Sequence, residues 1–250
     1  MSIQHLDRGD GVRLAFAALP GRAPAIVFLP GYRSDMTGDK AVAVEAWCRA
    51  RGQACLRLDY SGQGQSGGRF EDGTIGRWSD DALFLIDSLA REKLLVVGSS
   101  MGGWIALNVA LARPDRIAGL IGIAAAPDFT EDLMWSGMSE ASRATLERDG
   151  RLRIPSAYGG EQIITKMLID EGRSHLLLRG PIPLRCKVRL LHGMMDPDVP
   201  WQTSVRLAEK LESQDVHTIL IKDGEHRLSR PQDIALLLRT VAALLGENGS

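Results

Sequence analysis

The stretch "LLVVGSSMGGW" (residues 94–104) decides the fold. An apolar run ends at Gly98, and two serines, a methionine and two more glycines follow it. The segment GSSMG (98–102) fits the pattern G-x-S-x-G, in which a buried strand turns sharply into a helix. In this turn the backbone before the serine passes so close to the backbone after it that only glycine fits at the flanking positions. The central serine is then exposed at the end of the strand. The spacing therefore selects Ser100 as a candidate nucleophile and gives Ser99 a structural role.

Apolar strands alternate with amphipathic helices on both sides of this turn. The patterns predict strands over 12–18, 25–30, 54–60, 93–99, 117–126, 187–193 and 216–222. They predict helices over 39–52, 78–91, 101–114, 204–213 and 231–246, with Ser79 as an N-cap and Pro231 near the start of the last. This alternation favours an α/β fold: a mostly parallel sheet with helices on both faces. Functional sites of such sheets lie at the carboxyl ends of the strands.

Residues 127–185 interrupt the alternation, because they are more polar, less regular and rich in Gly, Pro and Arg. We therefore expect a core formed by 1–126 and 186–250, with 127–185 inserted as a small cap. Candidates for an apolar pocket are Trp104, Met134, Trp135, Met138 and Trp201. Among these, Trp104 is better explained as a core residue of the helix after the turn.

A serine hydroxyl becomes nucleophilic only when a base removes its proton. In this architecture an acid and then a histidine follow the serine, each after a later strand. The segment HGMMDPDVP supplies Asp196 and the segment DGEHRLSRP supplies His226, in the required order. Asp198 is the alternative acid. His192 precedes the acid and is expected to order its own loop.

The oxyanion that forms during acyl transfer needs two hydrogen-bond donors. Met101 follows the candidate nucleophile, so its backbone N–H is one candidate. In LPGYRSDMTGDK (29–40) Gly31 allows the backbone to curl over the serine, which makes the Tyr32 N–H the other. The segment LDYSGQGQSGG (58–68) lacks the spacing of a phosphate-binding loop. It is interpreted as a rigid connection from which Tyr60 and Ser66 could reach the site.

Composition limits the remaining classes of function. The 250 residues carry 30 Lys and Arg against 31 Asp and Glu, a net charge of −1 that does not favour nucleic acid as a partner. Three cysteines without metal-site spacing predict neither a disulfide framework nor a zinc site. No secretory signal and no long apolar run are visible, which favours a cytoplasmic protein without stable membrane insertion. The sequence does not indicate an oligomeric state.

Together these motifs resemble the α/β-hydrolase superfamily over nearly the whole chain. VGSSMGGW and the Trp that follows DVP are most similar to the palmitoyl-protein thioesterase and acyl-glucuronide esterase subfamily of mammalian mitochondria and its bacterial relatives. The resemblance implies a serine hydrolase for small-molecule esters or S-acylated substrates, with Ser100, Asp196 and His226 as the triad. It implies no metal or organic cofactor. Alternatives are a carboxylesterase of another specificity, a serine peptidase, and a hydrolase-fold protein that binds a ligand without turnover.

Overall fold

The computed structural model describes residues 2–155 and 161–246. Its strands are β1 Gln4–Asp7, β2 Arg13–Leu19, β3 Arg22–Leu29, β4 Gln53–Leu58, β5 Leu94–Ser99, β6 Ile117–Ile123, β7 Arg151–Pro155, β8 Glu161–Thr165, β9 Lys187–Gly193 and β10 Val216–Ile221. Eight of them form one sheet in the order β1-β2-β4-β3-β5-β6-β9-β10. Only β2 pairs antiparallel with its neighbours β1 and β4, and the other pairs in this sheet are parallel. The predicted fold class is confirmed.

Helices cover both faces of the sheet. They are α1 Asp39–Arg51, α2 Ile75–Leu89, α3 Met101–Ala112, α4 Glu140–Asp149, α5 Lys166–Gly172, α6 Gln202–Lys210 and α7 Pro231–Leu244. Buried residues of α2, α3 and α6 share one apolar cluster, and those of α1 and α7 share a second one on the other face. The strands β4 and β5 are buried along their whole length, which explains the continuous apolar run Leu94–Val97 of β5.

Two predicted boundaries and one predicted cap differ from the structure. Helix α2 begins at Ile75, because the Thr74 side chain accepts a hydrogen bond from the Arg77 N–H and caps it. Ser79 is therefore not an N-cap; it lies within the helix and its hydroxyl donates to the Ile75 carbonyl. The strand β6 ends at Ile123 rather than residue 126, because the next residue leaves the extended conformation with φ of 44°.

The chain leaves the sheet after β6 and returns to it with β9. Between them lie a π-helix Thr130–Trp135, the helices α4 and α5, and the antiparallel pair of β7 and β8. We call residues 127–185 the insert; its residues 156–160 lie outside the described part of the chain. Within 2–155 and 161–246, no helix combines the length and the hydropathy needed to cross a membrane.

Candidate active site

The turn at Ser100 depends on two glycines that contact neighbouring backbone. A Cβ at Gly98 would lie 2.1 Å from the Gly102 carbonyl oxygen, and one at Gly102 would lie 2.1 Å from the Leu29 oxygen. Between them Ser100 adopts φ 55° and ψ −120°, a conformation that is strained for any residue but glycine. Its N–H donates to the Ile123 carbonyl at 2.8 Å, which holds the turn against β6. The serine side chain is thereby fixed at the carboxyl edge of the sheet.

Ser100, His226 and Asp196 form one hydrogen-bonded chain. The Ser100 Oγ lies 3.0 Å from the His226 Nε2, and the His226 Nδ1 lies 2.7 Å from the Asp196 Oδ2. These residues come from the ends of β5, β10 and β9, so they are 30 to 126 positions apart in sequence. The hydroxyl is positioned to give its proton to the imidazole, and the carboxylate is positioned to orient the ring.

The Asp196 side chain is completely buried, and four groups donate hydrogen bonds to its carboxylate. Its Oδ1 accepts from the backbone N–H groups of Asp198 and Val199, each at 2.8 Å, and its Oδ2 accepts from two histidines. Burial alone would raise the pKa of Asp196, but hydrogen bonds from His192, His226 and Val199 outweigh it and hold the pKa well below its usual value. Asp196 is therefore ionised throughout the neutral range.

His192 fixes the acid in place. Its Nε2 lies 3.1 Å from the Asp196 Oδ2 and 3.0 Å from the Val199 carbonyl, and its Nδ1 lies 2.7 Å from the Ser204 hydroxyl. A carbonyl can only accept, so Nε2 carries the proton and donates to both oxygens. The expectation that His192 orders its own loop agrees with these contacts. Its direct contact with Asp196 had no sequence signal beyond its position four residues before the acid.

The acid loop and the histidine loop pack directly on each other. A Cβ at Gly193 would lie 2.3 Å from the Gly224 backbone, so the two strand ends approach as only glycine permits. The N–H of Met194 donates to the Ile221 carbonyl, and that of Met195 donates to the Gly224 carbonyl, both at 2.8 Å. These contacts set the distance between Asp196 and His226.

Gly31 brings the loop after β3 against the serine. A Cβ at Gly31 would lie 3.3 Å from the Ser100 Cβ, so the Tyr32 loop borders the nucleophile position from one side. Met101, the first residue of α3, borders it from the other. The Asp59 carboxylate fixes the Tyr32 loop by accepting from the Met36 N–H at 2.7 Å. Gly31, which precedes Tyr32, and Met101 thus both adjoin Ser100, and the oxyanion role of the Tyr32 and Met101 N–H groups stays a prediction.

Tyr60 and Ser66 support the neighbouring loops. The Tyr60 hydroxyl donates to the Pro30 carbonyl at 3.2 Å. The Ser66 hydroxyl donates to the Asp59 carbonyl and accepts from the Ala15 N–H. Both side chains therefore stabilise the frame around the site through contacts with backbone groups.

Comparison with known proteins shows what this chain is similar to. Residues 22–170 match the family described as serine aminopeptidase, S33 (Hydrolase_4). The chain is 42% identical to human mitochondrial palmitoyl-protein thioesterase ABHD10 over 98% of its own length and 80% of that protein's length. The chain belongs to the α/β-hydrolase family.

Two solved structures match this hydrolase over nearly its whole length. Mouse alpha/beta hydrolase domain-containing protein 10 has a TM-score of 0.92 and 42% identity, with 99% of each chain covered. A protein from Agrobacterium vitis S4 has a TM-score of 0.92 and 40% identity, with 97% of each chain covered. Its identity of 42% to a thioesterase over nearly the whole chain identifies the protein as an enzyme.

Aromatic rings of this hydrolase gather between its core and its insert. The Tyr32 ring has its centroid 5.0 Å from that of Phe70, 5.9 Å from Trp78 and 5.8 Å from Phe129. Trp104 is buried against Phe129, as its assignment to the core predicts. Sequence reasoning missed Phe70 and Phe129. The sequence contains one feature that could have indicated them: each is an aromatic residue in the connection that follows a predicted strand, on the side of the sheet where sites lie.

The residues predicted to form an apolar pocket within the insert do not all reach the aromatic cluster. Met134 packs on both the main core and the small core inside the insert, whereas Trp135 and Met138 pack on the small core alone among these clusters. Trp135 lies under the guanidinium groups of Arg143 and Arg173. Trp135 therefore stabilises the insert itself.

One group in the described residues has the spacing of a metal site. Asp196, Asp198 and His226 offer ligand atoms within 4.8 Å of one another. However, Asp196 and His226 are hydrogen-bonded to each other through the atoms Oδ2 and Nδ1. A metal there would break the contact that orients the imidazole toward Ser100.

Proposed function

We propose that this hydrolase transfers the acyl group of a thioester or ester to water through an acyl-enzyme on Ser100. The observation that carries this proposal is the hydrogen-bonded chain from Ser100 through His226 to the buried, ionised Asp196. Such a chain supplies a nucleophile, a general base and an orienting charge in one line. The function needs no metal or organic cofactor.

Each residue has a defined role in this reaction. His226 takes the Ser100 proton through Nε2 while Ser100 attacks the carbonyl carbon. The Asp196 carboxylate stabilises the imidazolium that forms. The N–H groups of Met101 and Tyr32 hold the oxyanion of the tetrahedral intermediate. His226 then protonates the leaving thiol or alcohol, and water attacks the acyl-enzyme with His226 again acting as base.

A long-chain S-acylated substrate is the best supported substrate class. Relatives of 42% identity are named palmitoyl-protein thioesterases, and the chain spans 80% of the human one. The apolar rings of Tyr32, Phe70 and Phe129 lie beside the Tyr32 loop that borders Ser100 and would contact an acyl chain. We assign the insert, 127–185, the role of a cap over this surface. A cytoplasmic location stays a prediction, and the mammalian relatives are named as mitochondrial.

The test compares a palmitoylated cysteine peptide with a short p-nitrophenyl ester, on the wild type and on Ser100→Ala. We expect a higher kcat/KM for the peptide and a loss of at least about 10⁴-fold for both substrates in the variant. A wild type that hydrolyses only the short ester would contradict the long-chain assignment. Near-normal turnover by the variant would contradict the role of Ser100.

The family description favours peptide hydrolysis as a second candidate function. The same triad cleaves esters and amides, so the choice depends on the leaving group. An amino-acid p-nitroanilide series settles the choice. Turnover of an anilide at a rate comparable to that of the thioester would favour the peptidase, and turnover of the thioester alone would favour the acyl hydrolase.

A further inference from the structure

The backbone beside His226 is held by a lysine from a distant part of the chain. The Lys40 Nζ donates a hydrogen bond to the carbonyl of Arg227, the residue that follows His226. Lys40 is the second residue of α1, and 187 positions separate it from Arg227. The contact therefore joins helix α1, on one face of the sheet, to the centre of the histidine loop.

The Arg227 carbonyl directly precedes a strained residue. Leu228 has φ of 44°, in the left-handed region that is costly for a bulky side chain. The Leu228 side chain is buried in the apolar cluster of α1 and α7, so its φ determines where the Arg227 carbonyl points. A hydrogen bond from Lys40 to this carbonyl therefore stabilises the strained turn next to His226.

Other contacts of the histidine loop act at its base or within it. The Arg230 guanidinium bonds to the Asp223 carboxylate at 2.8 Å and closes the base of the loop. The Ser229 hydroxyl also donates to the Arg227 carbonyl, at 3.2 Å, but Ser229 belongs to the same loop. Among these contacts, the one from Lys40 fixes the centre of the loop to a separate helix.

The surroundings of the Lys40 ammonium strengthen its hydrogen bond. The apolar side chains of Ile123, Leu191 and Leu228 lie with Lys40 around a cavity of about 10 Å³, which leaves room for one water at most. A charged donor among apolar side chains forms a stronger hydrogen bond than it does in water. The charged groups that act on the ammonium come from α1, α7 and the histidine loop: Asp39, Asp233, Glu225 and Arg227.

We propose that the Lys40 ammonium is a positioning group, which holds the His226 imidazole within reach of Ser100 by fixing the backbone beside it. This inference rests on the proposed function, in which His226 is the base in both halves of the reaction. A slightly displaced imidazole would leave substrate binding intact and slow proton transfer. The loss should therefore appear in kcat and leave KM nearly unchanged.

The test compares Lys40→Met with the matched control Lys93→Met on a short p-nitrophenyl ester. The Lys93 Nζ also donates to a backbone carbonyl, that of Asp115, but Lys93 precedes β5 and so lies at the opposite end of this strand from Ser100. At pH 7 we expect kcat to fall by about tenfold in Lys40→Met, the order of one charge-assisted hydrogen bond, with KM within about twofold of the wild type. The control should keep the wild-type kcat.

The pH dependence separates the ammonium from mere packing. Burial lowers the pKa of Lys40 to about 8, so most of the charge is lost by about pH 9.5. Because a neutral amine is a weaker donor, the ratio of the wild-type kcat to that of Lys40→Met should fall from about tenfold at pH 7 to about threefold at pH 9.5. The other charged groups are the same in both proteins, so the ratio isolates Lys40. A constant ratio would overturn the inference.

A thermal melt at pH 7 separates positioning from a structural role. Burial disfavours the charged lysine, and methionine can pack against the same apolar side chains, so the melting temperature of Lys40→Met should equal or exceed that of the wild type. A lower melting temperature, or a kcat within about twofold of the wild type, would overturn the inference while leaving the proposed function intact. Failure of the wild type to hydrolyse either the ester or a thioester would instead overturn the proposed function.

Discussion

The loops that carry the triad and the insert differ in the contacts that hold them in place. Around Ser100 and Asp196, glycines let backbones approach within contact distance, and backbone hydrogen bonds join adjacent strand ends. In the insert, exposed ion pairs add to apolar packing: Asp132 pairs with Arg179 inside the insert and with Arg206 of α6 in the core. Backbone packing tolerates almost no change, whereas exposed ion pairs contribute little each. The loops around Ser100 and Asp196 should therefore tolerate substitution less well than the exposed parts of the insert.

The largest expected effect comes from adding one methyl group to the turn. Gly98→Ala places a Cβ 2.1 Å from a backbone oxygen, so we expect a loss of about 3 kcal/mol or more of unfolding free energy and no activity. The matched change in the insert is Gly180→Ala, where no atom lies within 4 Å of the new Cβ. It should stay within about 0.5 kcal/mol of the wild type. Urea unfolding measures the free energy of unfolding of both variants. Equal values for Gly98→Ala and Gly180→Ala would contradict the difference between the turn and the insert.

The next effect concerns the acid. Asp196→Asn should lower kcat by about 10⁴-fold, because the amide cannot stabilise the imidazolium or hold its tautomer. The carboxylate hydrogen-bonded to the His226 Nδ1 is that of Asp196, and Asp198, the alternative acid in the sequence, donates its backbone N–H to Asp196. Asp198→Asn should therefore stay within about tenfold of the wild-type kcat. Steady-state kinetics on a short ester measures both variants. A larger loss of kcat in Asp198→Asn than in Asp196→Asn would make Asp198 the catalytic acid.

A smaller and more selective effect is expected where the insert joins the core. The buried Asp128 carboxylate accepts from the N–H groups of Leu177 and Leu178, at 2.7 and 2.9 Å. Asp128→Ala leaves both groups without this acceptor, so the end of the insert should loosen. We expect kcat/KM to fall about tenfold for a long-chain thioester and less than about threefold for a short ester. Asp149→Ala, at an exposed site of the same insert, is the control, and equal losses on both substrates would contradict a cap role.

The smallest effect is a pH dependence of stability at Lys40. Burial lowers the pKa of Lys40 to about 8, and its ammonium group donates to the Arg227 carbonyl beside His226. Between pH 8 and the ordinary value of 10.5, the unfolded chain holds a proton that the folded chain has lost, so stability rises with pH. The melting temperature of the wild type minus that of Lys40→Met should therefore increase from pH 8 to 10. Parallel melting curves over that range would refute the shift.

The same comparison explains what sequence could predict. The strands, the turn at Ser100 and the positions of Asp196 and His226 follow from apolar runs and glycine spacing, which are local patterns. The short polar edge strand β1, QHLD, was missed because it carries no apolar run. The helices and the β7–β8 pair of the insert were missed because their pattern is polar.

Contacts between distant residues were the other limit. Thr74 displaced Ser79 as the cap of α2 because the helix extends one turn further than its apolar pattern. The approach of Phe129 to Tyr32 and the burial of Gln63 depend on packing between loops far apart in the chain. Periodicity within one segment contains no information on such contacts. These contacts between loops were therefore harder to predict than the positions of Ser100, Asp196 and His226.

The most direct test of the central claim is the mass of the intact protein after reaction with a fluorophosphonate, followed by peptide mapping. Activation of the serine requires the contact of 3.0 Å between Ser100 Oγ and His226 Nε2. We predict one adduct on Ser100 in the wild type, none in Ser100→Ala, and labelling slowed by at least about 10²-fold in His226→Gln. An adduct on Ser99, or equally fast labelling without His226, would contradict the account.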